Sequence, residues 1–471
     1  MQIIYFLIYL FLGIISILCF HIGYFYPIFF SVLIMAFTTV FIFKSFKQNK
    51  IKVLIVLIWI VYALPFIHIP PYIWFDFNSD PLFLWGLLAN PYMKQENIIK
   101  LTAMLGAVGS IGIGMSVALA SKKNSEIHKI KYNPKKTLGL PIWILWIIIG
   151  LILSWLNAPS ETVFTSSYGG STAPIEGANF ASSWMMSYVV LTFAFCDAIF
   201  EPNILLKKIK KSISLITLIY IVIFLQFLRG DRESLPWLLG LIILYYYWAV
   251  NYTQNPGFIF PWKKFILFIL LILLSSIFVA ITRSSVAGLN FIELFLLIKE
   301  YNETGAFELS NFLNGTWSAV LMTPLSVAGN YINNSLSFKF GSDYFDLLLS
   351  LPPGFIADLF GFIRPIDGSK GPAWEMTYGL GGTHAIVLPF MNFRMIGVFL
   401  IPSIWTYFLI NFENKLSKNT NVVNLTFLVT IIMASPHWLW YGEKAGLNAV
   451  ILWFLFRFFY RISLSISPSF K

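Results

Sequence analysis

Arg229-Gly230-Asp231-Arg232-Glu233 places two arginines, an aspartate and a glutamate between two long apolar runs, 212–228 and 235–249. A charged side chain at the centre of a bilayer costs roughly 2.5–3.5 kcal/mol on insertion scales. The cost is smaller at a membrane face, yet charges set between two spans mark a candidate site. A third arginine, Arg283, ends another apolar run in Ile-Thr-Arg-Ser-Ser, with no acid within several residues. Guanidinium forks bind phosphate oxygens bidentately and stay charged in a partly dry site. Three of them at span ends on one face would suit the phosphate or diphosphate of a lipid carrier. The competing reading is a structural ion-pair cluster in which Asp231 and Glu233 neutralise their neighbours.

A second dense stretch runs from Arg364-Pro-Ile-Asp367-Gly-Ser-Lys370 through Glu375 to Gly-Leu-Gly-Gly-Thr-His384. Its glycines allow a backbone to approach a ligand closely. Arg364 and Lys370 add phosphate-binding charge. His384 and Glu375 are the candidates for a general base near neutral pH. The plainer alternative for His384 is a surface histidine in a polar loop. His21 and His68 fall at span ends, and His128 falls in a basic loop. His437 stands among aromatics, where it could position a sugar acceptor. Asp76-Phe-Asn-Ser-Asp80 pairs two acids in an early loop, as metal-using glycosyltransferases of the GT-C class do, and supports only the alternative reading.

These residues need a scaffold, and composition defines its class. Of 471 residues, 58% are hydrophobic and only 11% charged. That excludes a water-soluble globular domain and predicts a polytopic membrane protein. Backbone groups in lipid must bond internally, so only helices or a closed barrel can span. The apolar runs are near-continuous rather than alternating, which predicts an all-α transmembrane bundle. About twelve spans are expected, near 3–20, 26–43, 53–69, 98–120, 141–157, 181–200, 212–228, 235–249, 265–281, 386–410, 422–436 and 446–462.

The loops alternate in character. One set is short and basic, with Lys44 to Lys52, Lys122 to Lys136, Lys207 to Lys211, Lys263 and Lys264, Lys415 and Lys418, and the closing Arg457, Arg461 and Lys471. All fall on one side of a twelve-span arrangement, which predicts cytoplasmic N- and C-termini. The formal charge of +11 is this bias and not a nucleic-acid signal. The expected organisation is one integral membrane domain: spans 1–9 over 1–281, an extracytoplasmic loop over 282–385, and spans 10–12 over 386–471. In that loop, 291–300 and 344–363 are amphipathic or Pro-broken and are expected to lie along the outer membrane face. The first run lacks a basic leader and a small-residue cleavage site, so it reads as a span. Cys19 and Cys196 lie in apolar runs and read as buried small residues, and no metal motif is present.

The order of these features resembles a family. Many spans precede the Gly230-Asp-Arg232 turn. Arg283 follows a later span, and then comes a long outer loop containing Leu-Leu-Ser-Leu-Pro-Pro (348–353). A Gly-Gly-Thr-His segment then leads to Asn392-Phe393-Arg394-Met-Ile-Gly397. This resembles the bacterial O-antigen or oligosaccharide-repeat-unit polymerases, called Wzy, mainly over residues 212–412. Two departures stand out. The family commonly has glycine after Asn-Phe, where this chain has Arg394, and often an acid a few residues earlier, where this chain has Leu388-Pro389.

The resemblance implies a glycosyltransferase of the bacterial cytoplasmic (inner) membrane with its active site on the outer, periplasmic face. The growing glycan on undecaprenyl pyrophosphate would be the donor, and a lipid-linked repeat unit would offer the acceptor hydroxyl. Arg229, Arg232, Arg283, Arg364 and Lys370 would hold the pyrophosphate, with His384 or Glu375 as base. The leaving group arrives activated, so neither metal nor cofactor is expected. The implied partners are undecaprenyl-pyrophosphate-linked glycans, membrane lipid and a chain-length regulator protein, with no nucleic acid. The runner-up is an O-antigen ligase or another GT-C-like glycosyltransferase. The alternative from another class is a polysaccharide flippase, which should place polar residues near the midplane of several helices.

Overall fold

A computed structural model describes residues 2–48, 50–68, 95–120, 137–156, 184–221, 234–252, 316–351, 360–361, 384–418 and 420–467. Every regular element among them is a helix. In chain order these are α1 (Gln2–His21), α2 (Ile28–Lys47), α3 (Val53–Ala63) with a 3-10 turn (Leu64–His68), α4 (Glu96–Ala120), α5 (Leu140–Leu156), α6 (Trp184–Phe200) and α7 (Ile204–Ile221). Then follow α8 (Ser234–Tyr252), α9 (Thr316–Ile332), α10 (Ser342–Ser350), α11 (His384–Lys418), α12 (Val422–Tyr441) and α13 (Glu443–Ile466). Six of the described helices, α1, α2, α4, α11, α12 and α13, are long and apolar enough to cross a membrane. Eleven of the twelve expected spans overlap a described helix, while 222–228 and 265–281 lie outside the described residues.

The chain divides into two compact units. The first comprises Met1–Ile127, Leu309–Lys415 and Ser435–Leu447, and the second His128–Glu308, Leu416–Ala434 and Asn448–Lys471.

In the first unit α4 is enclosed over its middle, with Ile98 to Gly114 buried apart from Lys100. It packs against α1, α2 and α9. Lipid tails are as apolar as leucine, so helices in a membrane associate through close packing, which small residues allow. Gly112 shows this directly: a β-carbon there would run into the Phe399 carbonyl and the Ser403 hydroxyl of α11. One turn on, Ser116 Oγ donates to Ser403 O at 2.6 Å. The first turn of α3 is tied down by a buried acid, as Leu54 N donates to Glu413 Oε1 at 2.9 Å. A carboxylate there satisfies an otherwise unpaired donor and suits the positive end of the helix. At the other end of α3, Trp440 Nε1 donates to Val61 O at 2.7 Å. Helix α1 turns Ile4, Leu7, Phe11 and Leu18 outward, a surface suited to hydrocarbon.

Helix α9 lies within the stretch assigned from sequence to the outer loop. Val320 to Gly329 are buried, and the helix packs on α4 and the 3-10 turn. Thr316, Thr323, Pro324, Ser326 and Asn330 dilute its apolar signal, so hydropathy alone passes over it.

The second unit is centred on a charge cluster. Lys210 Nζ donates to Asp197 Oδ2 at 2.8 Å, to Glu201 Oε2 at 2.6 Å and to Leu138 O at 2.7 Å. Lys210 and Asp197 are fully enclosed, at 0% exposure. Asp197 Oδ1 accepts from Leu138 N at 3.0 Å and from the Tyr460 hydroxyl at 2.7 Å. Glu201 accepts from Thr137 Oγ1 at 2.9 Å and from Asn203 N at 3.2 Å. All three donor positions of the ammonium are thus filled, and every carboxylate oxygen has a partner. This corrects the expectation that Lys210 sits with Lys207, Lys208 and Lys211 in a short basic loop. The connection between α6 and α7 is only 201–203, and the lysines ride on the first turns of α7. Nearby, Gly139 N donates to Ser467 Oγ at 2.6 Å and Trp146 Nε1 to Ser463 Oγ at 3.1 Å. These bonds fix the end of α13 to the start of α5.

Candidate functional site

Among the residues singled out from sequence, His384 is described. Arg229, Arg232, Arg283, Arg364, Lys370 and Glu375 lie outside the described residues. His384 does not belong to a surface loop. It opens α11 and is 1% exposed. The rings of Tyr62 and Phe66 stand edge-on to the imidazole, with centroids 5.0 and 4.9 Å away. Its Nε2 lies 2.9 Å from the Tyr62 carbonyl. A carbonyl can only accept, so Nε2 carries the proton and the neutral ring keeps its lone pair on Nδ1. Nδ1 has no hydrogen-bond partner among the described residues. Chain geometry accounts for the available carbonyl. Pro65, three residues after Tyr62, has no N–H to return to it, and α3 tightens there into the 3-10 turn. The Tyr62 hydroxyl donates to Gly106 O at 2.9 Å, which fixes the carbonyl's helix against α4. A β-carbon on Gly109 would collide with that hydroxyl.

Helix α11 is not one straight rod. Arg394 interrupts it at φ 52 and ψ −145. A β-carbon built on Gly397 would meet Pro389 O at 2.5 Å. Eight residues of straight helix would separate those two by about 12 Å along the axis, so the chain turns sharply at Arg394. A short arm, 384–393, is buried through Asn392. The long arm, 395–418, is by itself long enough for a hydrocarbon core of about 30 Å. The expected span 386–410 is therefore two helices.

Backbone strain gathers here. The non-glycine residues with positive φ among those described are Asn334, Phe340, His384 and Arg394, all between 334 and 394. Such residues cost about 1–3 kcal/mol each and cluster at functional sites. His384 and Arg394 sit at the two ends of the short arm.

The connector between α9 and α10 straps onto this arm. Lys339 N donates to Met391 O at 3.3 Å. Asn392 Nδ2 donates to Asp343 Oδ2 and to Leu388 O, each at 2.9 Å. Tyr344 stacks on Phe393, with centroids 5.7 Å apart. Burial, then the nearby Glu443 carboxylate, raises the Tyr344 hydroxyl above the usual phenol range and keeps it protonated. The guanidinium of Arg394 rests against three rings, Tyr331 and Phe338 at 5.1 Å and Phe390 at 5.5 Å. Its Nη2 donates to Leu336 O at 3.3 Å. Its Nη1 is buried and has no partner among the described residues.

Sequence reasoning named His384 but missed Tyr62, whose contribution is a carbonyl and so leaves no residue-type signal. Arg394 was visible as a cation outside the basic loops and as a departure from a family pattern. Lys100, a cation outside the basic loops, has a simple local explanation: it pairs with Glu96 at 2.7 Å one turn away. No group of histidine, cysteine and acid side chains suited to a metal occurs among the described residues. No family model, curated protein or solved structure matches the chain.

Proposed function

We propose that this chain is a lipid-linked oligosaccharide polymerase of the Wzy type. The observation that carries the reading is His384: an imidazole held through Nε2–H by the Tyr62 carbonyl, with no partner on its buried Nδ1 among the described residues. A base whose tautomer is fixed by a second group is the arrangement that proton abstraction requires. In this scheme a sugar hydroxyl of the acceptor attacks the anomeric carbon of the donor glycan. The new glycosidic C–O bond forms as the bond to the diphosphate oxygen breaks. The polyprenyl diphosphate leaves with the electron pair, and the hydroxyl proton passes to Nδ1. Arg229, Arg232, Arg283, Arg364 and Lys370 stabilise the charge gathering on the diphosphate. Direct displacement inverts the anomeric configuration.

The topology proposed with it has twelve spans, cytoplasmic termini and a site on the outer face of the cytoplasmic membrane. Support comes from the alternation of basic and acidic loops and from the apolar helices. The enclosed Lys210 cluster does not favour transport, because its polar atoms are already partnered within the chain and none is left to carry an ion.

The surface glycan of a strain lacking this chain tests the reading. A single repeat unit on its acceptor supports a polymerase. Long lipid-linked chains would mean a ligase, and loss of outer-face intermediates a flippase.

A further inference from the structure

We propose that Arg394 is an oxyanion site, taking a phosphate or diphosphate group on the Nη1 edge of a guanidinium caged by Tyr331, Phe338 and Phe390. Ring faces attract a guanidinium across its plane but offer no in-plane acceptor to its N–H groups. The Leu336 carbonyl takes one of those donors, from Nη2. Nη1 remains enclosed without an acceptor, and no ion pair between Arg394 and a carboxylate occurs among the described residues. Buried donors are almost always paired, and a charged donor left unpaired is the costliest kind. An acceptor in the guanidinium plane would complete the set, and a phosphate oxygen would add the counter-charge that the Leu336 carbonyl does not supply.

The backbone supplies a second, independent argument. Position 394 holds a conformation in which glycine is at home and arginine is strained. If the corner were only a turn, glycine would make it with less strain. The guanidinium is also anchored on both sides of the corner, by Phe390 before it and by Tyr331 and Phe338 on the strapped connector. Bending at Arg394 therefore aims the side chain at a fixed place. This inference does not depend on the glycan reading, since any phosphate-bearing ligand would satisfy it.

The test uses the full chain in nanodiscs of neutral lipid, with farnesyl diphosphate, farnesol and inorganic pyrophosphate as probes. The intact protein should bind farnesyl diphosphate and not farnesol. Arg394→Gly should weaken that binding at least tenfold while its melting temperature stays equal or rises. Arg394→Lys, which keeps the charge without the fork, should bind several-fold more weakly than the intact protein. Inorganic pyrophosphate binding as tightly as farnesyl diphosphate would make the ligand a soluble anion, and much weaker binding would make it a lipid headgroup. The proposal is overturned if Arg394→Gly binds as the intact protein does, or if its melting temperature falls with binding unchanged. It is also overturned if the intact protein binds no diphosphate. Should the glycine variant not assemble, unchanged affinity in Arg394→Lys overturns it equally. Each readout is separate from the surface-glycan result, so either conclusion can fail alone.

Discussion

The Lys210 cluster and the His384–Arg394 corner both set polar groups among apolar side chains, the first fully buried and the second buried at His384 and half-buried at Arg394, and they differ in what they leave unfilled. Around Lys210 the ammonium has three acceptors, and each oxygen of the two carboxylates accepts at least one hydrogen bond. Around the corner, the buried Nδ1 of His384 and Nη1 of Arg394 have no hydrogen-bond partner among the described residues. The backbone follows the same division. The cluster involves no described residue with positive φ, while the corner has one at each end of its short arm. Closed valences and relaxed dihedrals describe a fastening. Unpartnered donors and acceptors on a strained frame are what the proposed site requires.

The sharpest way to break this comparison is to remove the ammonium. Lys210→Ala leaves Asp197 and Glu201 enclosed without a counter-charge and should cost about 3–5 kcal/mol. Thermal melting of the detergent-solubilised protein should show this as a collapse of the folded fraction. The triple change Lys210→Met, Asp197→Asn and Glu201→Gln should recover most of the loss, because the penalty belongs to the orphaned charges. Near-normal melting of Lys210→Ala would mean that the cluster is not enclosed.

His384→Gln asks the opposite question. Glutamine can still donate to the Tyr62 carbonyl but has no basic lone pair. We expect polymer formation to fall about 10²–10⁴-fold, with melting little changed. A parallel fall in both would make His384 a fastening like Lys210.

Gly112→Ala probes the frame beneath the corner. Its β-carbon meets backbone rather than a flexible side chain, so α4 and the long arm of α11 must part. A cost of about 1–3 kcal/mol is expected for such overpacking, and melting temperature measures it. The smallest effect should come from Tyr460→Phe, which removes one of the bonds to Asp197 Oδ1 and should cost about 1 kcal/mol. A larger loss would show that the cluster acts cooperatively.

The apolar helices were legible because lipid imposes a simple rule, and the runs at 3–20, 98–120 and 422–436 reappear as α1, α4 and α12 with shifts of a few residues at most ends. Lys210 was not legible, because four lysines crowd 207–211 and only the helical register decides which one turns inward. Asp197 and Glu201, four residues apart, were a usable signal, since that spacing sets two carboxylates on one helix face. Helix α9 escaped notice because its hydroxyl, amide and proline residues lower its hydropathy while its neighbours bury it. His384 was legible as a base by residue type. Its burial and its carbonyl partner depend on Pro65 and on packing between segments more than 300 positions apart in the chain, as the separation of 322 between His384 and Tyr62 shows.

The central claim is that His384 moves a proton during glycan transfer to an acceptor hydroxyl. Purified protein in nanodiscs, given a synthetic repeat unit on a polyprenyl diphosphate, tests it most directly when elongation and diphosphate binding are measured on the same samples. The account predicts that the intact chain lengthens the glycan and releases polyprenyl diphosphate, whereas His384→Gln binds the substrate normally and scarcely elongates it. Elongation by His384→Gln at the intact rate would contradict it.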